Sequence, residues 1–82
     1  MLHVADVNYL DDYRLWLRFD NGATGTVDLE QELWGEIFSP LHDKTIFASV
    51  RLDQELGTIV WANGADFAPE FLLTRLRQEA VA

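Results

Sequence analysis

With 82 residues, no cysteine, and 14 Asp and Glu against 6 Lys and Arg, this chain is expected to be one small acidic domain, residues 1–82, without disulfides. Its formal charge of −8 repels phosphate backbones, which argues against direct DNA or RNA binding, while 49% hydrophobic residues argue for a packed core. The opening Met1-Leu2-His3-Val4-Ala5-Asp6 does not read as a signal peptide, and no stretch approaches the ~20 apolar residues of a membrane helix. A cytoplasmic location away from membranes is the expectation.

Val4 to Leu10 reads as a first strand, with Val7 and Tyr9 on one face and Asp6 and Asn8 on the other. Asp11-Asp12 is a turn signal, because short carboxylates bond their own backbone. From Tyr13 to Phe19 the alternation is strict: Tyr13, Leu15, Leu17 and Phe19 point one way, Arg14, Trp16 and Arg18 the other. Asn21-Gly22 predicts a tight hairpin of type I′, with a return strand from Ala23 to about Leu29. The three strands form a meander with one apolar face and one polar face carrying an aromatic.

Asp28 is placed to cap a short helical turn from Leu29 to Trp34, ending near Gly35. Phe38-Ser39-Pro40-Leu41 is a connector, and Asp43 is placed to cap a second short turn reaching Phe47. Val50–Asp53 and Thr58–Trp61 read as two further strands joined by a hairpin-length link. Asn63-Gly64 marks another turn. A last helix is predicted from about Pro69 to Gln78, with Leu72, Leu73, Leu76 and Ala80 on its apolar stripe. The sum is an α+β domain of two layers, with about five antiparallel strands, short helical turns and a C-terminal helix.

Residues able to carry chemistry are few. His3 and His42 lack the spacing of a helical metal pair, and His42-Asp43 fits a loop with a capping aspartate as well as a ligand pair. Ser39 or Ser49 with His42 lacks the surroundings of a nucleophile elbow. Carboxylate pairs such as Asp11-Asp12, Glu30 with Glu32, and Asp66 with Glu70 arise by chance in so acidic a chain. No enzyme activity, cofactor or metal is expected from these residues.

Two features stand out instead. Arg14, Trp16 and Arg18 line one face of a strand, and Trp and Arg are the residues enriched at binding hot spots. Asp6 and Asn8, or Thr24 and Asp28, are their candidate cross-strand partners. The alternative is that Trp16 packs beneath a loop or the last helix, flanked by extended arginines. The second feature is Trp61-Ala62-Asn63-Gly64-Ala65-Asp66, leading to Pro69. It reads either as turn and cap chemistry, with Asp66 bonding backbone amides, or as a polar loop beside an exposed Trp61. Trp61, Asn63 and Asp66 therefore join Arg14, Trp16 and Arg18 as the candidate interaction surface.

The chain resembles a bacterial family of small uncharacterised domains, domain-of-unknown-function family 2442. The resemblance rests on Leu10-Asp11-Asp12-Tyr13 running through Leu15 and Leu17 to Phe19-Asp20-Asn21-Gly22. It rests also on Phe38-Ser39-Pro40-Leu41-His42-Asp43 with Phe47, and on Val50-Arg51-Leu52-Asp53. Gly57-Thr58-Ile59-Val60-Trp61 and Asn63-Gly64-Ala65-Asp66 with Pro69-Glu70 complete it. Ala62 stands where the family often has proline. The resemblance implies an α+β fold and no catalytic residue. It also implies members that stand alone or are fused to a helix-turn-helix domain, and some encoded in pairs suspected of being toxin–antitoxin-like. No helix-turn-helix segment is expected after residue 78, so a DNA-related role would need a partner.

Together these observations lead to the expectation of a non-catalytic protein-interaction or regulatory module with a basic protein partner, in one form the acidic neutralising member of a gene pair. Two alternatives stand beside it: a homodimeric accessory domain, and a small ligand-binding domain or enzyme using the Trp61–Asp66 loop.

Overall fold

The alternating segment around Trp16 becomes the central strand of a meander in the structure, a computed structural model that describes residues 1–77. Strands β1 (Val4–Asp11), β2 (Arg14–Phe19) and β3 (Thr24–Asp28) form an antiparallel sheet in that order. Register places Val7 opposite Leu17 and Tyr9 opposite Leu15 on the inner face. On the outer face Asn8, Trp16 and Thr26 stand side by side, with Arg18 between Asp6 and Thr24. The period-two pattern of the sequence thus becomes the two faces of the sheet. Irregularities of pairing at both ends of β1 blunt this edge strand.

The turn between β2 and β3 departs from the expected type I′ geometry. Gly22 has φ 88°, but Asn21 is not in the left-handed region. Gly22 N–H donates to Phe19 O (3.1 Å) and Phe19 N–H donates to Ala23 O (2.8 Å), the pattern of a type I turn closed by a glycine bulge. The cause lies in the Asn21 side chain: its Oδ1 accepts from Ala23 N–H at 3.0 Å, which suits a negative φ. The same arrangement recurs at Trp61–Ala65. There Gly64 N–H donates to Trp61 O, Trp61 N–H to Ala65 O, and Ala65 N–H to Asn63 Oδ1. The repeated tripeptide Asn-Gly-Ala builds one turn twice.

After the meander, Asp28 accepts from Glu30 N–H, and a single 3-10 turn, Glu30–Glu32, replaces the longer helical turn expected to Trp34; Leu29 holds the cap position. A second 3-10 turn, Ser39–His42, leads into helix α1 (Lys44–Ala48), whose first turn is capped by Asp43 through Thr45 N–H (2.9 Å) and Ile46 N–H (3.4 Å). Strands β4 (Arg51–Asp53) and β5 (Thr58–Val60) form a hairpin. The five strands are all antiparallel but fall into two sheets of three and two, rather than one. The hairpin meets the meander where Val4 N–H donates to Gly57 O, a contact at a loop that does not continue as a ladder.

Helix α2 spans Pro69–Arg75. It stops short of the expected Gln78, which lies with Ala80 outside the described residues. Leu76 is extended, and Arg77 pairs with Thr26 through two backbone bonds of 2.7 and 3.0 Å, laying a stub of strand along β3. That pairing requires Gly25, because a Cβ there would collide with the Arg77 carbonyl and press on Leu76.

One core unites these pieces. Leu15, Leu17, Phe19 and Val27 of the meander pack with Phe47 of α1, Ile59 of β5 and Leu72 of α2, all fully or almost fully buried. Trp61 lies among them, its ring centroid 5.6 Å from that of Phe47, and its Nε1–H donates to Phe47 O at 2.9 Å. A buried indole with its N–H satisfied contributes area without a desolvation penalty. The Cα radius of gyration, 12.1 Å, is close to the ~12 Å expected for a single domain of this length.

Candidate functional site

The outer face of the meander holds the Arg-Trp-Arg stripe as the sequence suggests. Trp16 is half-buried and belongs neither to the core nor to the apolar side chains packed on it. Neither helix covers it: Leu72 places α2 against the opposite face. Arg14 is engaged at the strand end: its Nε and Nη2 donate to the exposed Asp11 carboxylate at 2.7 and 2.8 Å, and it stands opposite Asp28 in register. The Arg14 guanidinium holds the Asp11 carboxyl below its ordinary range, and Asp11 in turn raises Arg14. Asp11 thus spends its carboxylate on an arginine rather than on its own turn.

The second candidate region is rearranged more deeply. Trp61 is buried to 2% exposure, so it is not the exposed aromatic expected beside the loop. Its alternation with buried Ile59 and its central place in the core are what draw it in. Asp66 pairs with Val60 through the backbone, and among the described residues its carboxylate bonds no amide or cation. Asn63 has a structural role the sequence does not show: its Nδ2 donates to Ile37 O at 2.8 Å, tying this loop to a segment 26 residues earlier.

That bond marks the edge of an open groove of about 440 Å³. It is lined by Trp34, Ile37 and Phe38 from one segment and by Asp66, Phe67 and Phe71 from another. Phe38 stacks on Phe67 with centroids 4.8 Å apart, and Phe67 on Phe71 at 5.5 Å. The Arg75 guanidinium lies over Phe71 at 4.6 Å and reaches Glu32, also on the groove, at 3.3 Å. Glu32 is thereby paired with a cation, whereas the exposed Asp66 carboxylate has no such partner among the described residues. Trp34 is 73% exposed and Ile37 45% exposed, large apolar side chains left in water at the lip.

The lip is braced rather than loose. Ser39 N–H and Oγ–H both donate to Gly35 O, at 2.8 and 2.6 Å. His42 Nε2–H donates to Leu33 O at 2.6 Å, and the Tyr13 hydroxyl donates to His42 O at 2.6 Å. With Asn63 on Ile37 O, these bonds hold residues 33–42 in place. They also account for residues that invited chemical readings: His42 and Ser39 bond carbonyls, Ser49 Oγ–H donates to Ile46 O, and Asp43 caps α1. Among the described residues no group of three or more His, Asp or Glu side chains is placed to hold a metal ion.

Two smaller clefts differ in character. One, of about 340 Å³, lies by His3, Val4 and Gly57, and the other, of about 290 Å³, balances Asp28 and Glu30 against Arg75 and Arg77. Neither has a Phe, Tyr or Trp side chain on its wall.

The groove has no signature in the sequence because its walls come from two segments far apart in the chain, 32–38 and 66–71. Trp34 and Ile37 follow no strand or helix period, so nothing local marks them as a lip. The signal available was Trp34 itself, a large aromatic in a glycine-containing loop. Of the six candidate residues, the structure brings Asn63 and Asp66 to the groove, buries Trp61, and leaves Arg14, Trp16 and Arg18 on a different face.

No curated protein and no solved structure matches the chain. A family model described as "Protein of unknown function (DUF2442)" matches residues 4–78, which takes in all five strands and both α-helices. The resemblance read from the turn and strand blocks is thus a membership: the chain belongs to the DUF2442 family.

Proposed function

We propose that this domain is a non-catalytic protein-interaction module, regulatory in role, and that its contact site is the groove between Trp34 and Phe71. The observation that carries the reading is the pair Trp34 and Ile37, held exposed by a braced loop beside a stacked aromatic wall. A rigid apolar lip of this kind loses little freedom on binding, and Trp is the residue most enriched at binding hot spots. Of the two carboxylates on the groove, Glu32 is engaged by Arg75 and Asp66 is solvent-exposed. With a charge of −8, neutralising a basic partner, as the acidic member of a gene pair, is the regulatory form of this reading.

Self-association is the second reading, favoured by the same exposed Trp34. Charge weighs against it, because two copies bring −8 to meet −8. Binding of a small molecule is a third, since the groove volume falls within the ~300–1,000 Å³ range of ligand pockets.

The test is capture of the tagged domain with its partner from the native host. Partner recovery is expected to be lost in Trp34→Ala and Ile37→Lys and kept in Trp16→Ala with Arg18→Ala. The reverse pattern would move the contact to the outer face of the meander. A monomer mass at micromolar concentration would dismiss a tight dimer.

A further inference from the structure

Resting on the reading of the groove as a protein site, we infer that its occupant is a basic amphipathic segment: an apolar side chain seated against Trp34, Ile37 and Phe38, with a neighbouring Lys or Arg paired to Asp66. The groove selects for this combination at two levels. Its floor is apolar and aromatic, which calls for a hydrophobic or aromatic knob. Two carboxylates, Glu32 and Asp66, join this lining, but only one of them is available. Glu32 already has Arg75, while Asp66 stands exposed with no ion-pair partner among the described residues. Glu36 and Glu70, adjacent in sequence to the lining residues Ile37 and Phe71, are also exposed and extend the negative field.

The alternatives fail on charge. A second copy of this chain would bring its own Asp66, Glu36 and Glu70 against the first, and like charges across an interface suppress association. An acidic segment meets the same field. A neutral apolar segment satisfies the floor but leaves Asp66 to be desolvated without compensation. A basic segment gains from the field at every distance, and Arg75 over Phe71 shows that a guanidinium already rests on this aromatic stack. The bound segment would continue that ladder from the Asp66 side.

The experiment is titration of the 15N-labelled domain with three probes. Two are synthetic peptides of one length and one Leu- and Trp-containing apolar pattern, with Lys and Arg in one and Glu in the other at the polar positions. The third is N-acetyltryptophanamide, uncharged. The three indole N–H signals report position: Trp34 at the groove, Trp16 on the far face, Trp61 in the core. The expected result is movement of the Trp34 indole and the Asp66–Ala68 amides with the basic peptide, with affinity for the acidic one lower on the order of tenfold or more. Asp66→Asn is expected to weaken the basic peptide about fivefold and to leave N-acetyltryptophanamide unchanged. Added salt should narrow the gap between the peptides.

Equal affinity for the two peptides, or an Asp66→Asn variant that binds the basic peptide as before, would overturn the inference and leave the groove a protein site of other chemistry. A Trp34 signal unmoved by every probe would also overturn it. If native-partner recovery then proved insensitive to Trp34→Ala, the reading of the groove would fall with it.

Discussion

Asn63 donates from its side-chain amide to the backbone carbonyl of Ile37 at 2.8 Å, and this one bond joins the turn after β5 to the lip of the groove. The same side chain accepts from Ala65 N–H at 3.1 Å, so a single asparagine closes its own turn and positions a distant loop. Removing it with Asn63→Ala is expected to cost about 1 kcal/mol of stability, the usual worth of a hydrogen bond of this kind. The larger effect should be local: faster amide exchange at Ser39, whose N–H bonds Gly35 O within the same loop, with the far side of the meander unchanged. Urea denaturation and hydrogen exchange check the two parts separately.

Trp34 and Trp61 offer a contrast in the same residue type. Trp34→Ala, at 73% exposure, is expected to change stability by no more than about 0.5 kcal/mol, as surface substitutions generally do. Trp61→Ala opens a cavity in the core and removes the shorter of two bonds to Phe47 O, which keeps Val50 N–H at 3.2 Å, for a loss of about 3–5 kcal/mol dominated by the cavity. Thermal or urea unfolding of the two variants measures both, and only the first is a usable test of binding.

Gly25→Ala should release the stub of strand formed by Arg77. The added Cβ meets the Arg77 carbonyl, and backbone against which it presses cannot move aside as a flexible side chain would. The expected cost is about 1–3 kcal/mol, typical of overpacking. Loss of exchange protection at the Thr26 and Arg77 amides, with the β1–β2 pairing intact, would locate the damage at this edge.

Acid should loosen the N-terminus through Asp20. Its carboxylate accepts from His3 N–H at 3.0 Å and lies 2.8 Å from His3 Nδ1; the backbone bond first, and then the ring, hold its pKa below the ordinary 3.8. A carboxylate depressed in the folded state stabilises it above its unfolded pKa, and that stabilisation is lost as pH falls through the folded value. The difference in Tm between the wild type and Asp20→Ala should therefore be constant from neutral pH to about 4 and shrink below it. A difference that grew on acidification would have the wrong sign for this linkage.

Much of the fold was legible because its signals are local. The alternation of Tyr13–Phe19 specifies a half-buried strand, and Asp43 and Pro69 mark helix starts that the structure keeps. Turn type was harder: Asn-Gly points to a hairpin, but whether asparagine takes a positive φ depends on where its side chain bonds, here Ala23 and Ala65 N–H. The reading of Trp61 as exposed, one of two for this loop, rests on its polar neighbours Asn63 and Asp66; its burial is decided by Phe47 and Phe67, which no local pattern places beside it. The groove depends in the same way on contacts between residues 34–38 and 66–71, long-range facts that periodicity does not encode.

The twin Asn-Gly-Ala turns also bear on how the molecule ages. In an open chain the backbone nitrogen after asparagine attacks the side-chain amide carbon and expels ammonia, and water then opens the resulting succinimide to isoaspartate or aspartate; glycine, with no side chain in the way, allows this most readily. In the fold each glycine N–H is bonded to a carbonyl, at Phe19 and at Trp61, and each asparagine oxygen is held by an alanine amide. Chemical lifetime is thus tied to folding, since both sites are shielded while the turns stay closed. The two lesions would differ in consequence. At Asn21 the change adds a charge to an exposed loop, whereas at Asn63 it removes the donor that the side chain offers to Ile37 O, and the lip of the groove would slacken in a protein otherwise intact.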